Sequence, residues 1–133
     1  MVDTCPAFDP IGFQPGSGCT RIAAGQLLNG TVTRFKLTGR TFGTTQVPAD
    51  ATGVLVNVTL VRAVAAGGYL TVYPGDAPSP PNASTVNPSA ATAADFWATG
   101  LGAAGAGANA GTLAVFSAGD PRDVVTDLVG YLR

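Results

Sequence analysis

The titratable side chains of this 133-residue chain are eight aspartates, six arginines, three tyrosines, two cysteines and a single lysine, Lys36; histidine and glutamate are absent. General acid–base catalysis relies most often on histidine or on a glutamate of raised pKa, and the usual zinc and iron sites use imidazole. This inventory argues against an ordinary hydrolase or metalloenzyme and for a chain with no catalytic residue, metal or cofactor. Nucleophile signatures are missing too. There is no Gly-x-Ser-x-Gly, and Gly16-Ser17-Gly18 runs into Cys19-Thr20 rather than Gly-Lys-Thr, so it is no phosphate loop. A glycosidase pair drawn from Asp9, Asp50, Asp76 or Asp95 is conceivable, but nothing in their spacing favours it.

Three further aspartates cluster near the end of the chain. Asp123 and Asp127 share a strand face with Cα atoms about 13 Å apart, too far to chelate one ion. Asp120 and Asp123 lie in a turn where calcium is an option, and turn capping is the simpler reading. Asp127 shares its predicted face with Val125, Val129 and Tyr131. A carboxylate buried there must be paired or neutral. The expectation is a structural polar lock, with Arg21, Arg34 or Asn57 as partner.

Asn57 sits mid-strand in Asn-Val-Thr and is expected to hydrogen-bond a neighbouring strand or loop. Asn29-Gly-Thr31 and Asn82-Ala-Ser84 also match the glycosylation sequon; the abundance of threonine accounts for such matches. Tyr69, Thr71 and Tyr73 project from one strand face if Leu70 and Val72 point to a core. Two phenols about 13 Å apart with a hydroxyl between them suit a flat platform for sugar rings, which Trp97 and Phe96 would extend. The competing reading packs these tyrosines against a loop or a second sheet. Cys5 and Cys19 bracket a Pro- and Gly-rich segment. A disulfide there closes a loop of about 14 residues and contributes about 3 kcal/mol; it is favoured over two free thiols and points to an extracytoplasmic setting.

The composition is 46% hydrophobic and 11% charged, with a net charge of −1, against roughly 25% charged in a typical domain. Weak mutual repulsion permits self-association, so a homo-oligomer is expected. One lysine among seven basic residues argues against nucleic acid and anionic membrane surfaces. The segment after Met1 lacks the basic and apolar regions of a signal peptide; the chain is then either cytoplasmic or a mature segment with an added start methionine. The uncharged stretch 96–119 is too rich in glycine and too poor in leucine to cross a membrane, and GAAGAGANAG reads as a flexible connection.

The elements that must position these residues are strands. Period-two alternation marks 31–38, 53–62 and 69–73; a short strand at 84–87 is bounded by Pro88; strands at 94–101 and 112–117 flank the Gly-Ala loop; 123–132 closes the chain. No segment keeps a helical period between caps. The predicted fold is all-β, a β-sandwich or jelly-roll-like barrel of six to eight antiparallel strands without substantial helix. One domain spans 1–133: an irregular N-terminal segment 1–30 with the Cys5–Cys19 loop, then a β core over 31–133.

VPADATGVLVNVTLV, GGYLTVYPGDAPSPPNASTVN and the closing DVVTDLVGYL resemble a β-rich module of secreted and surface proteins of actinobacteria and related soil bacteria. The resemblance covers roughly 47–132 and extends toward 20–39. It implies export, a β fold and a non-catalytic role. The ending Tyr131-Leu132-Arg133 and the cysteine loop depart from the pattern. The expected function is an extracellular or cell-surface module acting by contact, in adhesion or in binding a glycan or cell-wall polymer. The alternative is a self-assembling structural subunit.

Overall fold

The computed structural model describes residues 3–4, 20–27, 29–42, 44–61, 68–87, 92–119 and 122–133. In chain order the strands are β1 (Asp3–Thr4), β2 (Thr20–Leu27), β3 (Thr31–Lys36), β4 (Thr41–Phe42), β5 (Thr45–Gln46), β6 (Gly53–Val61), β7 (Tyr69–Pro74), β8 (Thr92–Gly100), β9 (Thr112–Ala118) and β10 (Arg122–Leu132). They form a five-stranded sheet β1-β2-β10-β6-β8, a three-stranded sheet β3-β9-β7 and the small pair β4-β5. Every pairing is antiparallel. From β6 onward successive strands alternate between the two larger sheets. The all-β expectation holds. Among the described residues the helical content is one 3-10 turn, Gly107–Asn109, and no helix is long and apolar enough to cross a membrane.

The alternation in GVLVNVTLV does what period two dictates. Val54, Val56, Val58 and Leu60 are wholly buried, while Leu55, Asn57 and Thr59 on the other face are half-buried. The first set joins Leu70 and Val72 of β7, Leu113 and Val115 of β9, and Val124 and Leu128 of β10 in one hydrophobic cluster. Both larger sheets therefore contribute to a common core. Each such aliphatic side chain contributes about 1.5–3 kcal/mol on leaving water.

Three expectations are corrected. Residues 20–27, assigned above to an irregular segment, form β2 beside β10. The pairing steps from Ala23 to Arg21 as β10 goes from Thr126 to Asp127, so Ile22 is an extra residue. A bulge of this kind breaks the alternation by which a strand is recognised. Second, 84–87 forms no strand; Val86 makes a single bridge to Leu70. Third, the Gly-Ala connection is a folded loop. Its backbone is held by Gly102 N–H to Thr112 O (2.9 Å), Gly111 N–H to Gly102 O (2.7 Å) and Ala106 N–H to Ala103 O (2.9 Å). The Asp76 carboxylate accepts from Ala103 N–H at 3.0 Å. Small residues permit this closeness: a Cβ on Gly111, which has φ +64°, would lie 1.8 Å from Thr38 Oγ1.

Candidate binding site

The β7 strand carries the residues expected to form an aromatic platform. Leu70 and Val72 do face the core, but Thr71 and Tyr73 on the opposite face are each only 2% exposed. The segment after β7 turns back along the strand and bonds Thr71 and its neighbours. The Thr71 hydroxyl donates to Ala83 O at 2.6 Å, and Val72 N–H donates to Thr85 Oγ1 at 2.9 Å. Leu70 N–H donates to Val86 O at 2.9 Å, and Thr85 N–H donates back to Leu70 O at 2.7 Å. The loop-packed reading describes Thr71; Tyr73 is buried as well, so Tyr69 and Tyr73 share no open face.

Tyr73 is shut in from a second side. Register places it beside Ala114 of β9, which stands beside Arg34 of β3. Across that small alanine the Arg34 guanidinium reaches the far strand's end, where Nε donates to Gly75 O at 2.8 Å. Among the described residues the Tyr73 hydroxyl has no hydrogen-bond partner. Burial raises the pKa of this phenol above its ordinary value, against a smaller opposing pull from the positive charge of Arg34.

Tyr69, at the start of β7, differs. It is 38% exposed, and its ring packs against Phe116 of β9 with centroids 6.0 Å apart and planes tilted by 53°. Beside it a recess of about 260 Å³ is lined by Tyr69, Asn82, Ala83 and Ser84. The recess thus combines an aromatic ring, an amide and a hydroxyl. Trp97 does not join this site. It lies in the other large sheet, opposite Val56, and is 37% exposed. Phe116, Asn82 and Ser84 were not assigned to a site from the sequence. The alternation of 112–117 contains the signal for Phe116, but the pairing of β9 with β7 and the return of the 77–87 loop do not show in local pattern.

Asn57 and Asp127 are brought together. Asp127 of β10 stands in register opposite Asn57 of β6 and opposite Arg21 of β2. Asp127 is 4% exposed and is not without a partner. The Asn57 amide donates to Thr59 Oγ1 at 3.3 Å. Arg34, the other proposed partner, lies in the three-stranded sheet. The predicted face of Asp127, Val129 and Tyr131 is interrupted. Register shifts between Leu128 and Gly130, leaving Val129 as an extra residue, and Tyr131 falls opposite core-facing Val54. Cys5 and Cys19, with their proposed disulfide, lie outside the described residues.

A larger cleft, about 540 Å³, opens at the end of the sheets near Lys36, Asp50, Leu101, Ala104 and Gly111. Lys36 Nζ donates to Ala110 O. Asp50 is bound by the Arg133 guanidinium, with Nη2–Oδ1 at 3.1 Å. Among the described residues no group of three or more cysteine or acidic side chains is placed to hold a metal ion. Compared with protein-family models, curated proteins and solved structures, the chain finds no match.

Proposed function

We propose that this chain is a non-catalytic, extracellular β module that works by surface contact, holding a glycan or cell-wall polymer at the Tyr69 recess. One observation carries the reading: an exposed tyrosine ring, backed by Phe116, sits over a recess edged by Asn82 and Ser84. A pyranose has apolar faces and hydroxyl edges. An aromatic plane takes the first, and an amide with a hydroxyl takes the second. Export is supported by the likeness of GYLTVYP and its companion motifs to those of secreted modules. The test is a glycan array followed by titration of any bound oligosaccharide. Tyr69→Ala is expected to weaken binding at least tenfold, about 1.4 kcal/mol, and Asn82→Ala to weaken it less. If no sugar binds, or both variants bind like the parent, the assignment fails.

A second reading, a self-assembling subunit, is favoured by β8. It closes one end of the five-stranded sheet and pairs with β6 over nine residues, Thr92 to Gly100, without a bulge. It contains neither lysine nor proline, and Asp95 is its one charge, so little in it blunts a free edge. Elsewhere β3 presents Arg34 and Lys36, and β7 is bridged by Val86. Sedimentation at micromolar to millimolar concentration decides: a strict monomer removes this reading.

A further inference from the structure

The end cleft contains two charged side chains, and only one of them is neutralised. Asp50 is paired with Arg133. Lys36, the one lysine in the sequence, donates to the neutral carbonyl of Ala110 and makes no ion pair among the described residues. Among the described residues Lys36 is thus the one unpaired charge in the cleft lining; the Asp76 carboxylate lies behind the wall, on Ala103 N–H. The remaining wall is made of small groups: the methyls of Ala49, Ala51 and Ala104 and the side chain of Leu101. The floor is backbone that cannot be filled. A Cβ on Gly102 would lie 1.9 Å from Asn109 O, and one on Gly111 would lie 1.8 Å from Thr38 Oγ1. Many of the nearby N–H groups are already used: Ala51 to Pro48 O, Thr52 to Leu132 O, Leu101 to Thr52 O, and Gly102 and Gly111 as above. Polar recognition then falls to Lys36 and the hydroxyls of Thr38 and Thr52.

We propose that this cleft binds the carboxylate end of a short peptide of small residues, with the terminal carboxylate on Lys36 and methyl side chains against the alanine wall. A volume of about 540 Å³ lies within the usual range for a small-ligand site, roughly 300–1,000 Å³. An amine spent on a neutral carbonyl gains from exchanging it for a carboxylate, since charge-assisted hydrogen bonds are about twice as strong as neutral ones. This site is separate from the Tyr69 recess and stands or falls without it.

The probes are N-acetyl-alanyl-alanine, its C-terminal amide and inorganic phosphate, each titrated into the full chain while backbone amide resonances are followed by NMR. The acid is expected to shift resonances of residues 101–111 and to bind at least tenfold more tightly than the amide or phosphate. Lys36→Met should remove that preference, and Lys36→Arg should keep part of it. Ala104→Trp, at an exposed position, should block the cleft. Circular dichroism confirms that each variant is folded. Equal binding of acid and amide, phosphate binding as tightly as the acid, or no shift at 101–111 would each overturn the proposal.

Discussion

Asp127 of β10 and Asn57 of β6 face each other in register near the middle of the five-stranded sheet. On its other side Asp127 is in register with Arg21. Acid and amide thus lie side by side on adjacent strands, on the sheet face opposite core-lining Val56 and Val58. A carboxylate only 4% exposed must be paired or hydrogen-bonded, and Asp127 is not without a partner, because burying it alone costs far more than a domain can spare.

Replacing Asp127 removes this buried carboxylate. Asp127→Ala is expected to lower unfolding free energy by about 2–3 kcal/mol, the scale of hydrogen bonds to a charged group. Asp127→Asn should cost less, since it keeps one acceptor. Urea denaturation measures both; an alanine variant as stable as the parent would refute the lock.

Thr126, next to it, has the opposite problem. It is 1% exposed, lies opposite core-facing Val58, and among the described residues its hydroxyl has no hydrogen-bond partner. Thr126→Val keeps the shape and removes the unsatisfied group. The expected gain is about 1 kcal/mol, read as a higher urea midpoint at unchanged slope.

Tyr73 links stability to alkaline pH. Its folded-state pKa is raised, so its contribution is fully present below the unfolded tyrosine value near 10. That contribution falls as pH rises from there through the folded value, because the unfolded chain releases the proton first. Stability measured between pH 9 and pH 11 should fall less steeply in Tyr73→Phe than in the parent. Identical slopes would exclude Tyr73 as a contributor.

Gly111 sets the geometry of the cleft floor. Its φ is +64°, and a Cβ there would run into Thr38 Oγ1. Gly111→Ala is expected to cost about 2–4 kcal/mol, combining backbone strain with overpacking. Adding Thr38→Gly, which removes the Cβ 2.7 Å away as well as the hydroxyl, should recover the overpacking part and leave about 1 kcal/mol of strain relative to Thr38→Gly alone. Thermal unfolding of the single and double variants separates the two.

Local chemistry carried much of the fold. The alternation of GVLVNVTLV marked β6, and the spacing of TVTRFK, YLTVYP and TLAVFSA located β3, β7 and β9 to within two residues. Period two is imposed by the backbone itself, so it shows wherever one face is buried. β2 was illegible because Ile22 interrupts the alternation, and the face shared by Asp127 and Tyr131 was misjudged because Val129 does the same in β10. A bulge obeys pairing with a distant strand, and that strand is invisible in local pattern.

The candidate sites depend still more on long-range contacts. The sequence by itself determined that histidine and glutamate are missing, that strands dominate, and that a buried Asp127 needs company. Only the tertiary structure decided that Thr71 lies beneath the returning 77–87 loop and Tyr73 is buried while Tyr69 stays open beside Asn82, and that Lys36 meets Ala110 some seventy residues later. Exposure is a property of what packs on top, and what packs on top is chosen by which strands pair across the whole chain.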